Sequence, residues 1–276
     1  MGFIEKLLEI TRKKDSLLCI GLDTDIGKIP EKLLKENDPV FSFNKSIIDE
    51  TYEFASAYKL NTAFYEINGS NGWISLSKTL DYIPDNIIKI VDAKRGDIGN
   101  TASMYAKAIL SNLKCDAVTV NPYLGYDSLI PFIEYEDKGI FILCLTSNVG
   151  SQDFQKLKVN DKYLYQIIAE RVLEFNKYEN CGLIVGATFP EELKTVREIA
   201  PNLPFLIPGI GAQGGDLEKT VEYGTDSNGE LVLINSSRGI IYKSKGEDFA
   251  KAASFAAEEL KKQINFFRRK KIEKTY

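Results

Sequence analysis

The segment VDAKRGDIGNTA, residues 91–102, holds three charged groups whose spacing could do chemistry: Asp92, Lys94 and Asp97. If the apolar run before them is a β-strand, side chains alternate between its faces, so Asp92 and Lys94 share one face. Arg95 takes the opposite face and reads as structural. Lys59, near the end of the preceding apolar run, can lie beside Asp92 if the strand register allows. The result is an alternating line, Lys59–Asp92–Lys94, with Asp97 just beyond the strand. Charges in a fold's interior are costly unless paired, so such a line is either a structural ion-pair network or a catalytic array.

Two chemistries can use a lysine at position 94. A Schiff-base aldolase needs a neutral amine, made by burial or by a neighbouring cation. Carboxylates two residues before and three after favour the ammonium instead. A permanent cation suits a reaction that develops a carbanion and then protonates it, and decarboxylation is such a reaction. The rest of the composition narrows the choice. The chain has 276 residues, formal net charge −4, four Cys and no His. Without His there is no Ser-His-Asp or Cys-His relay, no His-ligated zinc and no imidazole shuttle. Mild acidity argues against nucleic acid as a partner.

These residues must be positioned by something, and eight short apolar or β-branched runs supply it. They are LLCIGLD (17–23), YKLNTAFYE (58–66), IIKIVDAK (87–94), DAVTVNPY (116–123), GIFILCLT (139–146), GLIVGAT (182–188), PFLIPGI (204–210) and ELVLINSS (230–237). Helix-period segments lie between most of them, which implies parallel strands with helical crossovers. With no break in composition, the expected architecture is one α/β domain over residues 1–276, a (β/α)8 TIM barrel. An open doubly wound sheet is the alternative. An amphipathic N-terminal helix precedes the first strand, and NGSNGWISLSKTLDYIPD (68–85) reads as an insertion between strands 2 and 3 that adds helix packing. A long helix closes the chain, and its basic run from Phe266 to Lys274 reads as a solvated helix end.

In a barrel of this kind the working site lies at the C-terminal strand ends. Those ends carry Asp23, Lys59, Asp92, Lys94, Asn121, Thr146, Ser147, Thr188, Gln213 and Arg238, whereas the N-terminal ends carry nothing comparable. The loops after strands 7 and 8, PGIGAQGGD (208–216) and SSRGIIY (236–242), fit a phosphate site. Glycines there, Gly209 among them, let backbone N–H groups approach an anion, and the next helix adds its positive end. Arg238 and Gln213 can supply side-chain donors. A small phosphorylated substrate follows, with its reacting end over Lys94.

The four cysteines show no metal-ligand spacing, and Cys19 and Cys144 lie in apolar runs as core residues do. A cytoplasmic setting is expected from them. No stretch is long enough to span a membrane, so no membrane partner is expected.

With these motifs in place, the sequence resembles orotidine 5′-phosphate decarboxylases, specifically their longer bacterial (type 2) subgroup. The resemblance rests on GLD (21–23), AYKLN (57–61), DAKRGDIGNTA (92–102), VNPYLGYDS (120–128), PGIGAQGGD (208–216) and SSRGIIY (236–242). It implies cofactor-independent decarboxylation of orotidine 5′-monophosphate, with no metal. Lys94 would stabilise the C6 carbanion and protonate it. Asp92 would face the substrate carboxylate or hold Lys94 and Lys59, and Lys59 and Asp23 would bind the ribose. Gly209, Gln213, Ser237 and Arg238 would serve the phosphate end, and Ser147 the pyrimidine edge. The resemblance further implies a homodimer in which Asp97, Ile98 and Thr101 reach the partner's site. Thr24 stands where the subgroup leads one to expect Pro. The alternatives are a metal-dependent sugar-phosphate decarboxylase of the same suprafamily and a catalytically silent nucleotide-binding barrel.

Overall fold

The computed structural model describes residues 1–210 and 216–275. Eight parallel strands close on themselves: β1 (Leu18–Gly21), β2 (Ala57–Asn61), β3 (Ile88–Arg95), β4 (Ala117–Val120), β5 (Gly139–Leu145), β6 (Cys181–Val185), β7 (Phe205–Pro208) and β8 (Val232–Ser236). Each pairs with the next, and β8 returns to β1, with Leu18 opposite Ile234. Helices follow the strands in turn, at Pro39–Thr51, Gly69–Tyr82, Gly99–Ala106, Tyr126–Ile133, Leu164–Phe175, Pro190–Ile199, Leu217–Gly224 and Phe249–Thr275. This is the (β/α)8 barrel, and the open sheet is excluded by the β8–β1 pairing.

Local signals explain several boundaries. Asp38 caps the helix that starts at Pro39, accepting from the Phe41 amide. Proline suits that first position because its missing N–H has no helical partner to lose. The second apolar run is shorter than its composition suggests. β2 ends at Asn61, whose side chain accepts from the Ala63 amide, and Ala63–Glu66 coils into a helical turn. Thr, Phe and Tyr favour strands, but a local cap overrides that preference here. Segment 68–85 is not an addition to the barrel. It carries Gly69–Tyr82, the crossover helix that a parallel β2–β3 pair requires.

The core has two parts. The larger fills the layer between strands and helices. The smaller fills the barrel's lumen, where Cys19, Ala57, Ile88, Ile90, Phe141, Ile184, Leu206 and Leu233 meet Phe3, Leu7 and Ile10 of the N-terminal helix, Phe3–Lys14. That helix closes the barrel floor. Phe3 packs edge-on against Phe141 with ring centroids 5.8 Å apart. Gly139 makes the fit possible, since a Cβ there would lie 2.4 Å from the Phe3 ring. The N-terminal strand ends do carry charge, contrary to expectation. Asp116 before β4 accepts from Lys6 at 2.6 Å, and Glu230 before β8 takes two bonds from Arg12, at 2.7 and 2.6 Å. Both carboxylates fasten the closing helix.

The basic C-terminal run is exposed at Arg269, Lys270 and Lys274, as a solvated helix end should be, and it is also ion-paired. Lys270 reaches Glu218, Lys274 reaches Glu222, and Arg268 lies between Asp15 and Glu230. All four cysteines are buried and unpaired, as core thiols should be. Among the described residues, no helix is long and apolar enough to cross a membrane.

Candidate active site

At the lumen's upper end the apolar filling gives way to charge. Lys59 on β2 pairs in register with Ile90, so Asp92 stands one inward position further up β3. Lys59 Nζ donates to Asp92 Oδ2 at 3.0 Å and to Asp23 Oδ1, just past β1, at 3.4 Å. Lys94 Nζ donates to Asp92 Oδ1 at 2.6 Å. The expected line is therefore present, extended by Asp23 at its far end. Lys59 and Asp92 are 4% and 7% exposed, whereas the Lys94 side chain is 44% exposed and faces the opening.

The electrostatics follow from this order. Burial works against the Lys59 ammonium, but Asp23 and Asp92 outweigh it and raise its pKa above the ordinary lysine value. Burial likewise works against the Asp92 carboxylate, and Lys59, Lys94 and the Thr119 hydroxyl together hold it well below the ordinary range. The interior charges are fixed across neutral pH.

Lys94 has an unusual backbone. Its φ is +47°, in the left-handed region, and the β3–β4 register shifts between Val91 and Arg95. A β-bulge re-aims a side chain at a strand end. Thr119, fully buried on β4, is bonded twice in this bulge. It accepts from the Lys94 amide at 2.9 Å and donates to Asp92 Oδ1 at 2.8 Å. Arg95, as expected, turns outward to pair with Glu66.

Across the mouth from the charges, Leu143, Ile184 and Leu206 form an apolar floor, and the cavity above them measures about 510 Å³. Its walls include Thr146, Ser147, Gly209, Asn235, Ser237 and Arg238. Ser147 comes close because Gly186 lacks a side chain: a Cβ there would lie 2.8 Å from the Ser147 nitrogen. Gly21 makes similar room for the Ser237 hydroxyl, 1.9 Å from where its Cβ would be. Arg238 is exposed and forms no ion pair among the described residues, so its guanidinium is free to meet an anion. Gln213 lies outside the described residues. The helix after β7 begins at Leu217 and is capped by Asp216, which accepts from the Lys219 amide.

Tyr242 ties the two sides together. Its hydroxyl accepts from the Asp25 amide at 2.7 Å and donates to the Asp23 carbonyl at 3.1 Å, four residues beyond Arg238. The chain after β1 is held from behind as well. Buried Thr24 bonds Asn44, Asn44 donates to Tyr65, and Tyr65 donates to the Leu22 carbonyl. A hydroxyl at position 24 thus has a defined partner.

Asn121 and Thr188, although at strand ends, do not line the cavity. Nor do Asp97, Ile98 and Thr101. They lie past β3 and on the first turn of the following helix, with Ile98 59% exposed and the Asp97 carboxylate accepting from the Ile98 amide. Among the described residues, Lys94 therefore has one carboxylate partner in its own chain, Asp92. Sequence reasoning passed over Thr119 and the lining residues Asn61, Phe64, Asn148 and Asn235. The signal for Asn61 was present in AYKLN, but Thr119 reads as an ordinary β-branched strand residue. Among the described residues, no three His, Cys, Asp or Glu side chains cluster as metal ligands.

Fold and site together describe a (β/α)8 barrel of the enzyme kind, with alternating ammonium and carboxylate charges at its mouth. Residues 16–253 match the family described as orotidine 5′-phosphate decarboxylase / HUMPS. The chain belongs to that family. Among curated relatives, an orotidine 5′-phosphate decarboxylase of Dehalococcoides mccartyi is 55% identical over 98% of this chain and 100% of its own length. One from Christiangramia forsetii is 50% identical, over 94% and 96% respectively. The solved OMP decarboxylase of Leishmania donovani superposes with a TM-score of 0.86 at 42% identity, covering 98% of this chain and all of that one.

Proposed function

We propose that residues 1–276 act as one barrel domain that decarboxylates orotidine 5′-phosphate to uridine 5′-phosphate and CO2 without a cofactor. The observation that carries the reading is the Lys59–Asp92–Lys94 array opening onto the cavity. Relatives named for this activity at 50% and 55% identity support it.

Arg238, with Gln213, Gly209 and Ser237, binds the phosphate. Asp23 and Lys59 take the ribose hydroxyls, and Ser147 takes the pyrimidine edge. This places the substrate carboxylate against Asp92 and C6 beside Lys94. When the bond from C6 to the carboxylate breaks, its electron pair stays on C6 and CO2 leaves. The Lys94 ammonium stabilises that carbanion and then gives it a proton, and the resulting amine regains one from solvent. Stabilisation by charges already in place costs no reorganisation at the moment of reaction. Phosphate contacts remote from C6 contribute binding energy that orients the reacting end. In a homodimer, the outward-facing Asp97, Ile98 and Thr101 reach the partner's site. Four buried thiols without disulfides support a cytoplasmic setting.

The direct test is the absorbance change of orotidine 5′-phosphate on adding purified protein in the presence of a chelator. Turnover is expected for the wild type, and a loss of at least about 1,000-fold for Lys94→Ala. Wild-type turnover of orotidine 5′-phosphate that appears only with added divalent metal overturns the cofactor-free reading, and activity only on a sugar phosphate overturns the substrate reading. Equal turnover in Lys94→Ala overturns the mechanism alone.

A further inference from the structure

We infer that Thr119 is a positioning residue for the decarboxylation, setting both the direction of the Asp92 carboxylate and the backbone that aims Lys94. The inference rests on the role proposed for Lys94. It stands on a single hydroxyl with two hydrogen bonds, one to each neighbour in the charged line.

The geometry leaves the hydroxyl no other task. Thr119 is fully buried, and its oxygen donates to Asp92 Oδ1 and accepts from the Lys94 amide. Asp92 Oδ1 thereby receives two donors, Thr119 and the Lys94 ammonium, while Oδ2 receives Lys59. The carboxylate plane is fixed from three directions. With the hydroxyl removed, Asp92 is still paired with its lysines but can turn about its terminal bond.

The second bond bears on Lys94 itself. A lysine at φ +47° is in a conformation that L-residues avoid, and such residues persist only where the surroundings hold them. Asp92 and Ile88, two and six positions back on the same face, turn their backbone groups to the β2 side, where the Ile88 amide donates to the Ser56 carbonyl and the Asp92 carbonyl accepts from the Thr62 amide. At the register shift the Lys94 amide turns to the β4 side instead, and it is the Thr119 hydroxyl that receives it. The bulge that points the ammonium at the cavity is thus closed by this side chain.

The test uses Thr119→Val, which keeps the shape and removes the hydroxyl, and Thr119→Ser, which keeps the hydroxyl. Losing a hydrogen bond to a charged group corresponds to about 10- to 100-fold in turnover. For Thr119→Val, kcat is expected to fall by that factor while KM stays within about threefold, because Arg238 and the phosphate end are untouched. Thr119→Ser is expected to recover kcat to within about threefold of wild type. If Thr119→Val does not fold, Thr119→Ala against Thr119→Ser gives the same comparison. Wild-type kcat in folded Thr119→Val overturns the inference, as does a serine variant no better than the valine one. Wild-type and Lys94→Ala controls in the same assay separate this failure from failure of the lysine mechanism.

Discussion

Replacing Lys59 with Met probes the interior of the charged line most directly. Lys59 is held by two carboxylates, at 3.0 Å from Asp92 and 3.4 Å from Asp23. At an effective dielectric of about 20, each contact is worth roughly 5 kcal/mol of gross attraction. Burying the ammonium costs several kcal/mol of that. Methionine fills similar space, so the loss reflects charge rather than a void. It leaves Asp23 without its lysine and Asp92 with Lys94 alone, and such a break typically costs about 3–5 kcal/mol. Urea denaturation near pH 7 should show a loss of that size. The pH dependence is fixed in sign. Asp92 is depressed below its ordinary value of 3.8, so its contribution is complete above about pH 4 and is lost as pH falls through the folded value. Lys59 is raised above 10.5, so its contribution is complete below about pH 10 and is lost only above the folded value. The deficit of Lys59→Met should therefore be flat from about pH 5 to 9 and shrink below about pH 4. A loss under about 1 kcal/mol at neutral pH, or a deficit that grows on acidification, refutes the electrostatic account.

Two further outcomes follow from the same structure. Arg238→Ala should raise KM at least about tenfold through the lost phosphate contact, with the melting temperature unchanged, because this guanidinium has no ion-pair partner among the described residues. Gly139→Ala should destabilise the fold by about 1–3 kcal/mol in urea titration, since its methyl meets the Phe3 ring. Adding Phe3→Leu should recover part of that loss, and an additive double variant would show that the two do not touch in solution.

Much of this site is legible in the sequence, for a physical reason. Charged residues two apart on the inward face of a strand have no place in an apolar core, so Asp92 and Lys94 declare their shared face. Lys59 needed the β2–β3 register, which no single sequence states. The left-handed backbone at Lys94 has no signature at all, since lysine is a poor residue for it and tertiary contacts impose it. Thr119 is hidden for the opposite reason: a threonine is what a strand ordinarily contains. Fold reading went astray where local capping beat propensity, at Asn61. It also erred over Gly69–Tyr82, where a glycine-rich start disguised a crossover helix as an insertion. Asp116 and Glu230 were invisible as anchors because their partners, Lys6 and Arg12, lie 110 and 218 residues away.

Those separations matter for the order in which the molecule is built. The helix Phe3–Lys14 is synthesised before any strand, yet its seat exists only when β8 has paired with β1. Until residue 236 is in place, Phe3, Leu7 and Ile10 have no completed lumen to enter, and Arg12 lacks Glu230. Contacts of such long sequence separation form late, because closing the intervening chain is entropically expensive. The earliest segment of the barrel is therefore among the last to settle. Its docking reports that the ring has closed, and a probe on Phe3 would time that event.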